Sequence, residues 1–211
     1  MAYGVRKERR RRGRKAQLLV LLAISLIAIC SVIVIWKVGE FVYDYYARFS
    51  RYDELIVKAG QRNNVDPCLI KAVIWKESRF DKRARGLKGE VGLMQIMPDK
   101  AVVDWAKRFR VPVPNKGALY APRLNIEIGT WYLGNALKRW ASYKDNLALA
   151  LCEYNAGIKR ANAWKPVDRN GDVRERITIS STLSYVNSIL AQYEDYKKSW
   201  QKKHPQKGTI R

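Results

Sequence analysis

Asp66-Pro67-Cys68-Leu69-Ile70-Lys71-Ala72-Val73-Ile74-Trp75-Lys76-Glu77-Ser78 is the stretch whose reading decides the fold. Asp66 can accept from the unpaired amides of a first helical turn, and Pro67 brings the fixed φ of a first helical position, so a helix starts here. At about 100° per residue, Ile70, Val73, Ile74 and Glu77 fall on one face. That face is otherwise apolar, so it turns inward and carries a carboxylate with it. A carboxyl taken partly out of water has its pKa raised from about 4.3 toward about 6, which suits a proton donor near neutral pH. The plainer reading is a Glu at a frayed helix end facing water, and this helix alone does not decide between the two.

Outward from this stretch the pattern stays helical. Tyr52 to Asn63 forms a preceding helix, and Asp66 to Arg79 the one that bears Glu77. Asp99 reads as the cap of a helix through Phe109, stopped by Val111-Pro112-Val113-Pro114. Asn125 reads as the cap of Ile126 to Trp140, with Gly129, Leu133, Ala136, Leu137 and Trp140 as its inward stripe. Asn146 opens a helix that ends at Gly157, and Thr182 to Tyr196 completes the set. No run alternates in a way that reads as a strand, and there is no internal repeat. The fold class is mainly α.

Two further segments carry chemistry. Gly92-Leu93-Met94-Gln95-Ile96-Met97-Pro98 is an apolar loop with glycine at its start and proline at its end. Glu153-Tyr154-Asn155-Ala156-Gly157 closes a helix, with Gly157 as its C-terminal cap. Together with Glu77-Ser78, these segments resemble, in order and spacing, the catalytic domain of the soluble lytic transglycosylase family, over about residues 52 to 196. The resemblance implies a lysozyme-like fold and cleavage of bacterial peptidoglycan. It implies Glu77 as the catalytic residue. It also implies that Ser78 supports the substrate or the carboxylate, that Met94 and Gln95 line the groove, and that Tyr154 and Asn155 hold Glu77 and an N-acetyl group. Tyr185 matches a tyrosine of the family's last motif, usually Glu-Thr-x-x-Tyr-Val, but here Ser181 stands where the family has Glu. Glu90 is a second departure, since the family usually has a small residue there.

Glycoside cleavage usually employs two carboxylates. Only Glu77 lies on a matched motif, with Glu90, Glu127 and Glu153 nearby in sequence. The resemblance therefore implies an intramolecular reaction that closes a 1,6-anhydro ring, with Glu77 acting as acid and then as base. A hydrolase on the same scaffold, with Glu90 activating water, and a wall-binding module without turnover are the alternatives.

The 211 residues suffice for one principal domain with a sizeable core. A single His and three scattered Cys offer no metal-ligand spacing and no Ser-His or Cys-His pair, so neither a cofactor nor a metal is expected. Asp168-Arg169-Asn170-Gly171-Asp172 looks like a calcium loop only superficially: its Gly is two positions early and the terminal acid is missing. Asn170-Gly171 reads as a turn. Cys68 and Cys152 would pair only if their geometry allowed it in an oxidising compartment.

Residues 6 to 15 hold eight Lys or Arg and one Glu, and Ala16 to Trp36 is 21 residues without a charge. At about 1.5 Å per residue this run crosses a hydrocarbon core of roughly 30 Å, and the basic cluster ahead of it predicts a cytoplasmic N-terminus. The organisation expected is a basic cytoplasmic tail (1–15), a single transmembrane helix (16–36), a juxtamembrane linker (37–51) through which the helix can also continue, a catalytic domain (52–196) and a basic tail (197–211). No A-x-A-like site follows the span, which favours an uncleaved anchor over a signal peptide. Ile29 stands before Cys30 where lipidation wants a small residue. The domain is thereby expected outside the bacterial cytoplasmic membrane, in the periplasm. The net charge of +22 suits an anionic partner. No nucleic-acid motif is present, and peptidoglycan glycan strands with their peptide carboxylates fit better.

Overall fold

The computed structural model describes residues 2–203, and the chain divides into two units, 1–48 and 49–211. The expected basic tail is therefore covered only to Lys203; Lys207 and Arg211 lie outside the described residues.

The first unit is one helix, α1 (Ala2–Ala47). Its stretch from Leu19 to Ala47 is long and apolar enough to cross a membrane, with a mean hydropathy of 3.0, and its side chains are exposed all round. A helix apolar on every face has no single side to offer a core, which is the pattern of a membrane span. There is no break at Trp36: the segment expected as a linker continues the helix as far as Ala47.

The second unit is built from α2 (Asp53–Asn63), α3 (Pro67–Ser78), α4 (Val103–Phe109), α5 (Pro122–Trp140), α6 (Asn146–Ala156), α7 (Ile158–Trp164) and α8 (Ser180–Lys203). Only two isolated β-bridges, Arg85 with Val91 and Val91 with Ile96, occur among the described residues. α3 begins as its sequence requires, with the Asp66 carboxylate accepting from the Cys68 amide at 2.8 Å and Pro67 in the first turn. The Tyr193 hydroxyl of α8 donates to the other oxygen of that carboxylate at 2.7 Å. Ile70, Val73 and Ile74 are fully buried, and so is Ala72 on the other side. α3 is thus wrapped by its neighbours, principally α8 and α2. Burying an aliphatic side chain of this size is worth about 1.5–3 kcal/mol, so this helix anchors the unit. α5 packs against α6 and α2, and α6 against α7 and α8.

Two helix starts differ from expectation. Asp99 caps nothing: a π-helical turn (Pro98–Val102) precedes α4, and its start has no side-chain cap. α5 starts at Pro122, not after Asn125, because proline at the first helical position needs no amide partner. Asn125 is consequently inside the helix and buried, with its amide turned away from the helix and toward the loop 91–94.

That loop leaves no room for change at Gly92. Its φ is +77°, and a β-carbon would sit 2.4 Å from the Asn125 amide nitrogen and 3.1 Å from the Leu119 carbonyl. Gly92→Ala is expected to cost about 2–3 kcal/mol through strain and overpacking together, measured by chemical denaturation of the full chain.

Candidate active site

Glu77 stands on the last turn of α3, which ends because Arg79 and Phe80 both take left-handed backbone conformations. Its carboxylate accepts the Tyr185 hydroxyl of α8 on Oε1 at 2.6 Å. Burial is the dominant influence on this group and pushes its pKa up to about 7. The Tyr185 hydrogen bond pulls it down, the Glu90 charge adds to the rise, and the Lys76 ammonium lowers it. Glu77 thus stays largely protonated up to about pH 7, where an ordinary glutamate is ionised. Burial and the charge of Glu77 also hold the Tyr154 and Tyr185 phenols well above their ordinary range, so both remain donors.

The loop facing α3 is fixed by side chains from three helices. Asn125 accepts from the Met94 amide at 2.8 Å and donates to the Val91 and Leu119 carbonyls at 2.8 and 2.9 Å. Ser78 donates to the Leu93 carbonyl at 2.8 Å, and Tyr154 donates to the Met94 carbonyl at 2.8 Å. Gln95, itself left-handed at φ 45°, folds its amide back onto the Gly92 and Ala84 carbonyls at 2.8 and 3.2 Å. The loop backbone is therefore satisfied by neighbours without belonging to a sheet.

Beside this loop lies a groove of about 280 Å³, lined among others by Lys88, Glu90, Gln95, Lys100, Tyr132, Tyr154, Asn155 and Arg160. Glu77 does not line it directly. It is coupled to it electrostatically through Glu90 and Tyr154, which both do. Tyr132 meets Tyr154 edge to face, with ring centroids 5.7 Å apart, and stiffens this wall.

The residues expected at the site divide into three groups. Glu77 and Tyr185 are in direct contact, and Gln95, Tyr154 and Asn155 line the groove. Met94 does not line it: its side chain is fully buried, with its sulfur against Gly129 and 3.8 Å from the Thr130 hydroxyl, so it fills the core between the loop and α5. Ser78 hydrogen-bonds backbone carbonyls of Ile74 and Leu93, and its contact is with the loop rather than the carboxylate. Tyr154 likewise meets the loop and not Glu77, and Asn155 accepts from the Thr182 hydroxyl at 2.9 Å. Ser181, at the family's Glu position, is exposed.

The other carboxylates sort equally cleanly. Glu127 is bound by Arg62 and by Asn63 at 3.0 Å. Glu153 is buried and accepts from the Trp140 indole at 2.8 Å, with Arg139 at 3.2 Å. Both brace helices. Glu153 and Glu90 both line the groove, but Glu90 has no cation or indole partner there, its Oε2 accepting only the Lys88 amide at 2.9 Å. Cys68 and Cys152 are buried free thiols, not a disulfide. Among the described residues no His, Cys, Asp or Glu cluster could hold a metal.

Sequence reasoning missed Asn125, which it took for a cap, and the groove residues Tyr132, Lys100 and Arg160. None of these carries a local signal, because each acts across a gap between elements.

The profile of the transglycosylase SLT domain family matches residues 54–177. The chain is 31% identical over 151 residues to the soluble lytic murein transglycosylase of Salmonella typhimurium, an alignment covering 69% of this chain and 22% of that protein. It is 30% identical over 95 residues to the membrane-bound lytic murein transglycosylase E of Buchnera aphidicola, covering 44% and 43% of the two chains. Among solved structures it resembles an inactive mutant of the lytic transglycosylase Slt from Pseudomonas aeruginosa, with a TM-score of 0.66 and 26% identity over 72% of this chain and 25% of that one. The 70 kDa soluble lytic transglycosylase of Escherichia coli gives a TM-score of 0.64 at 28% identity, over 71% and 24%. The alignments with the soluble relatives thus span only about a quarter of those proteins' length.

Proposed function

This chain belongs to the transglycosylase SLT domain family, and from that premise we propose that it is a membrane-anchored peptidoglycan lytic transglycosylase. The observation that carries the reading is the half-buried Glu77 carboxyl, with a phenol donating to it and its pKa pushed up to about 7 by desolvation. At neutral pH such a group donates a proton to a glycosidic oxygen and, once ionised, is a competent base.

In this mechanism Glu77 protonates the oxygen of the β-1,4 bond between N-acetylmuramic acid and N-acetylglucosamine. The bond to C1 breaks, and the sugar's own N-acetyl oxygen stabilises the positive centre. The Glu77 carboxylate then takes the proton of the C6 hydroxyl, and O6 closes on C1 to give a 1,6-anhydro end. Glu77 returns to its protonated state, and no water is consumed. Tyr185 is a positioning residue that orients the carboxyl and favours its charged form. Gln95, Tyr154 and Asn155 would present amide and phenol groups to the sugar chain.

Anchoring by α1 supports action close to a membrane. The proposed arrangement is a single pass of the bacterial cytoplasmic membrane, with the basic N-terminus in the cytoplasm and residues 49–211 in the periplasm.

The test is mass spectrometry of soluble products from purified peptidoglycan incubated with the full chain in detergent. Products one water lighter than hydrolytic ones support the reading. A second reading rests on Glu90, a second carboxylate in the groove whose charge acts on Glu77. Ordinary reducing ends would favour hydrolysis, with Glu90 activating water.

Tyr185→Phe separates positioning from packing. The hydroxyl lowers the Glu77 pKa, so its loss is expected to move the alkaline limb of the pH–rate profile upward while reducing the maximal rate roughly tenfold. A reduced rate with an unmoved limb would assign Tyr185 to packing alone.

A further inference from the structure

The last turns of α8 lie where the chain enters the second unit. Asp53 and Ile56 of α2 share one small hollow with Tyr196, Ser199 and Trp200 of α8. The Lys71 ammonium ties the two helices there, bonded to the Asp53 carboxylate and 5.3 Å from the centre of the Tyr196 ring. This end of α8 is cationic. From Lys197 to Arg211 the sequence holds six Lys or Arg and no Asp or Glu. The acids of these turns are Glu194, paired with Lys197 at 3.2 Å, and Asp195, which Lys198 reaches only at 3.9 Å. Lys198 and Lys202 are exposed, as is Arg51 just before α2. Neither Lys202 nor Arg51 forms an ion pair with another described residue.

Chain length alone keeps this end near the bilayer. The apolar stretch Leu19–Ala47 is 29 residues, about 43 Å of helix, which matches the roughly 40–45 Å of a bilayer with its headgroup regions. Ala47 therefore emerges at headgroup level. Asp53 follows six residues later, at most about 21 Å away in any arrangement of the two units. The basic end of α8 beside it is confined to the same neighbourhood. It is remote from the groove: Tyr185, which contacts Glu77, lies about 26 Å from Lys202 along the same helix. We propose that the C-terminal end of α8 is a second membrane contact, in which Lys198, Lys202 and the cations that follow bind the anionic headgroups of the bilayer crossed by α1. α8 then acts as a strut, holding Tyr185, and Glu77 with it, no more than about 26 Å from that contact. Basic segments beside a membrane helix are drawn to anionic lipid by a few-fold per charge, and salt releases them. The inference rests on the reading of α1 as a membrane span, and it makes lipid a ligand of the second unit as well.

The test places the full chain in lipid nanodiscs of phosphatidylcholine, alone or mixed with the anionic phosphatidylglycerol. Amide hydrogen exchange is read by mass spectrometry. Residues 194–203 are expected to exchange roughly tenfold more slowly in the anionic discs, the product of several charge contacts of a few-fold each. Lys198→Gln together with Lys202→Gln should shrink the difference to about threefold or less. Raising the salt to about 1 M, where charges are screened within roughly 3 Å, should abolish it in the wild type. Both side chains are exposed, so α8 is expected to persist, and equal exchange of variant and wild type in the neutral discs checks it. Equal exchange of 194–203 in the two disc types, or slowing that survives high salt, would overturn the inference. So would slowing in detergent that grows with protein concentration, which would put a second copy of the chain on this surface. Exchange within α1 separates the two claims. A protected α1 with a lipid-independent α8 would leave the anchor and remove the second contact. An unprotected α1 with an α8 that still slows on anionic lipid would remove the anchor and keep the lipid contact.

Discussion

Glu77→Gln is expected to abolish turnover, by about a thousandfold or more, and at the same time to make the chain more stable at alkaline pH. The two effects have one origin. The Glu77 carboxyl is held protonated up to a pKa of about 7, against an ordinary value of 4.5, because its surroundings are poor at solvating charge. Between those values the unfolded chain has released a proton that the folded chain still holds, so stability falls as pH rises from about 4.5 to about 7 and stays reduced above it. The full shift corresponds to a penalty on the order of 3 kcal/mol. Glutamine has the same shape, never ionises and can still accept the Tyr185 hydroxyl. Melting curves of the wild type and Glu77→Gln should therefore coincide at pH 4 and separate progressively toward pH 8, with glutamine the more stable. Retained turnover would remove Glu77 from the mechanism, and coincident curves at pH 8 would remove the desolvated carboxyl.

The second large effect is structural. Asn125→Ala is expected to destabilise the chain by about 3–5 kcal/mol and to inactivate whatever remains folded. The asparagine satisfies the Met94 amide and the Val91 and Leu119 carbonyls, all in the interior; alanine leaves the Met94 amide and the Leu119 carbonyl without partners and strips one of two bonds from the Val91 carbonyl, which keeps the Ile96 amide at 3.2 Å. Because Tyr154 and Ser78 hold the same loop through Met94 and Leu93, the loop would move away from both at once. Asn125→Asp keeps the acceptor but sets a buried carboxyl oxygen against the Val91 and Leu119 carbonyls, so it should cost at least as much as alanine. Urea denaturation followed by tryptophan fluorescence reads the series. A cost below about 1 kcal/mol for alanine would mean that the loop holds itself.

What the sequence made legible follows from which interactions are local. The Asp66-Pro67 start of α3, its buried Ile70, Val73 and Ile74, the Gly157 end of α6 and the apolar run of α1 all depend on neighbours a few residues away, and each is as expected. Asn125 was misread because an asparagine near a helix start looks the same whether it caps its own helix or reaches across to another segment. Met94 was misread for a related reason. Its motif position is fixed by its backbone, whose amide and carbonyl are held by Asn125 and Tyr154, while its side chain fills the space that Gly129 leaves. Met94 and Ser78 hold the loop in place here, while Gln95, Tyr154 and Asn155 line the groove. The lone departure that reaches the groove, Glu90, does so alongside cations from two other segments, a convergence no local pattern encodes.

The central claim is that one carboxylate suffices because the strand's own C6 oxygen, not water, completes the reaction. Peptidoglycan digested by the full chain in water labelled with heavy oxygen tests this most directly. The account predicts soluble products with 1,6-anhydro ends and no label, formed by the wild type and absent with Glu77→Gln. Labelled reducing ends would contradict it, showing that water attacks C1 and that a second group, with Glu90 the first to examine, activates that water.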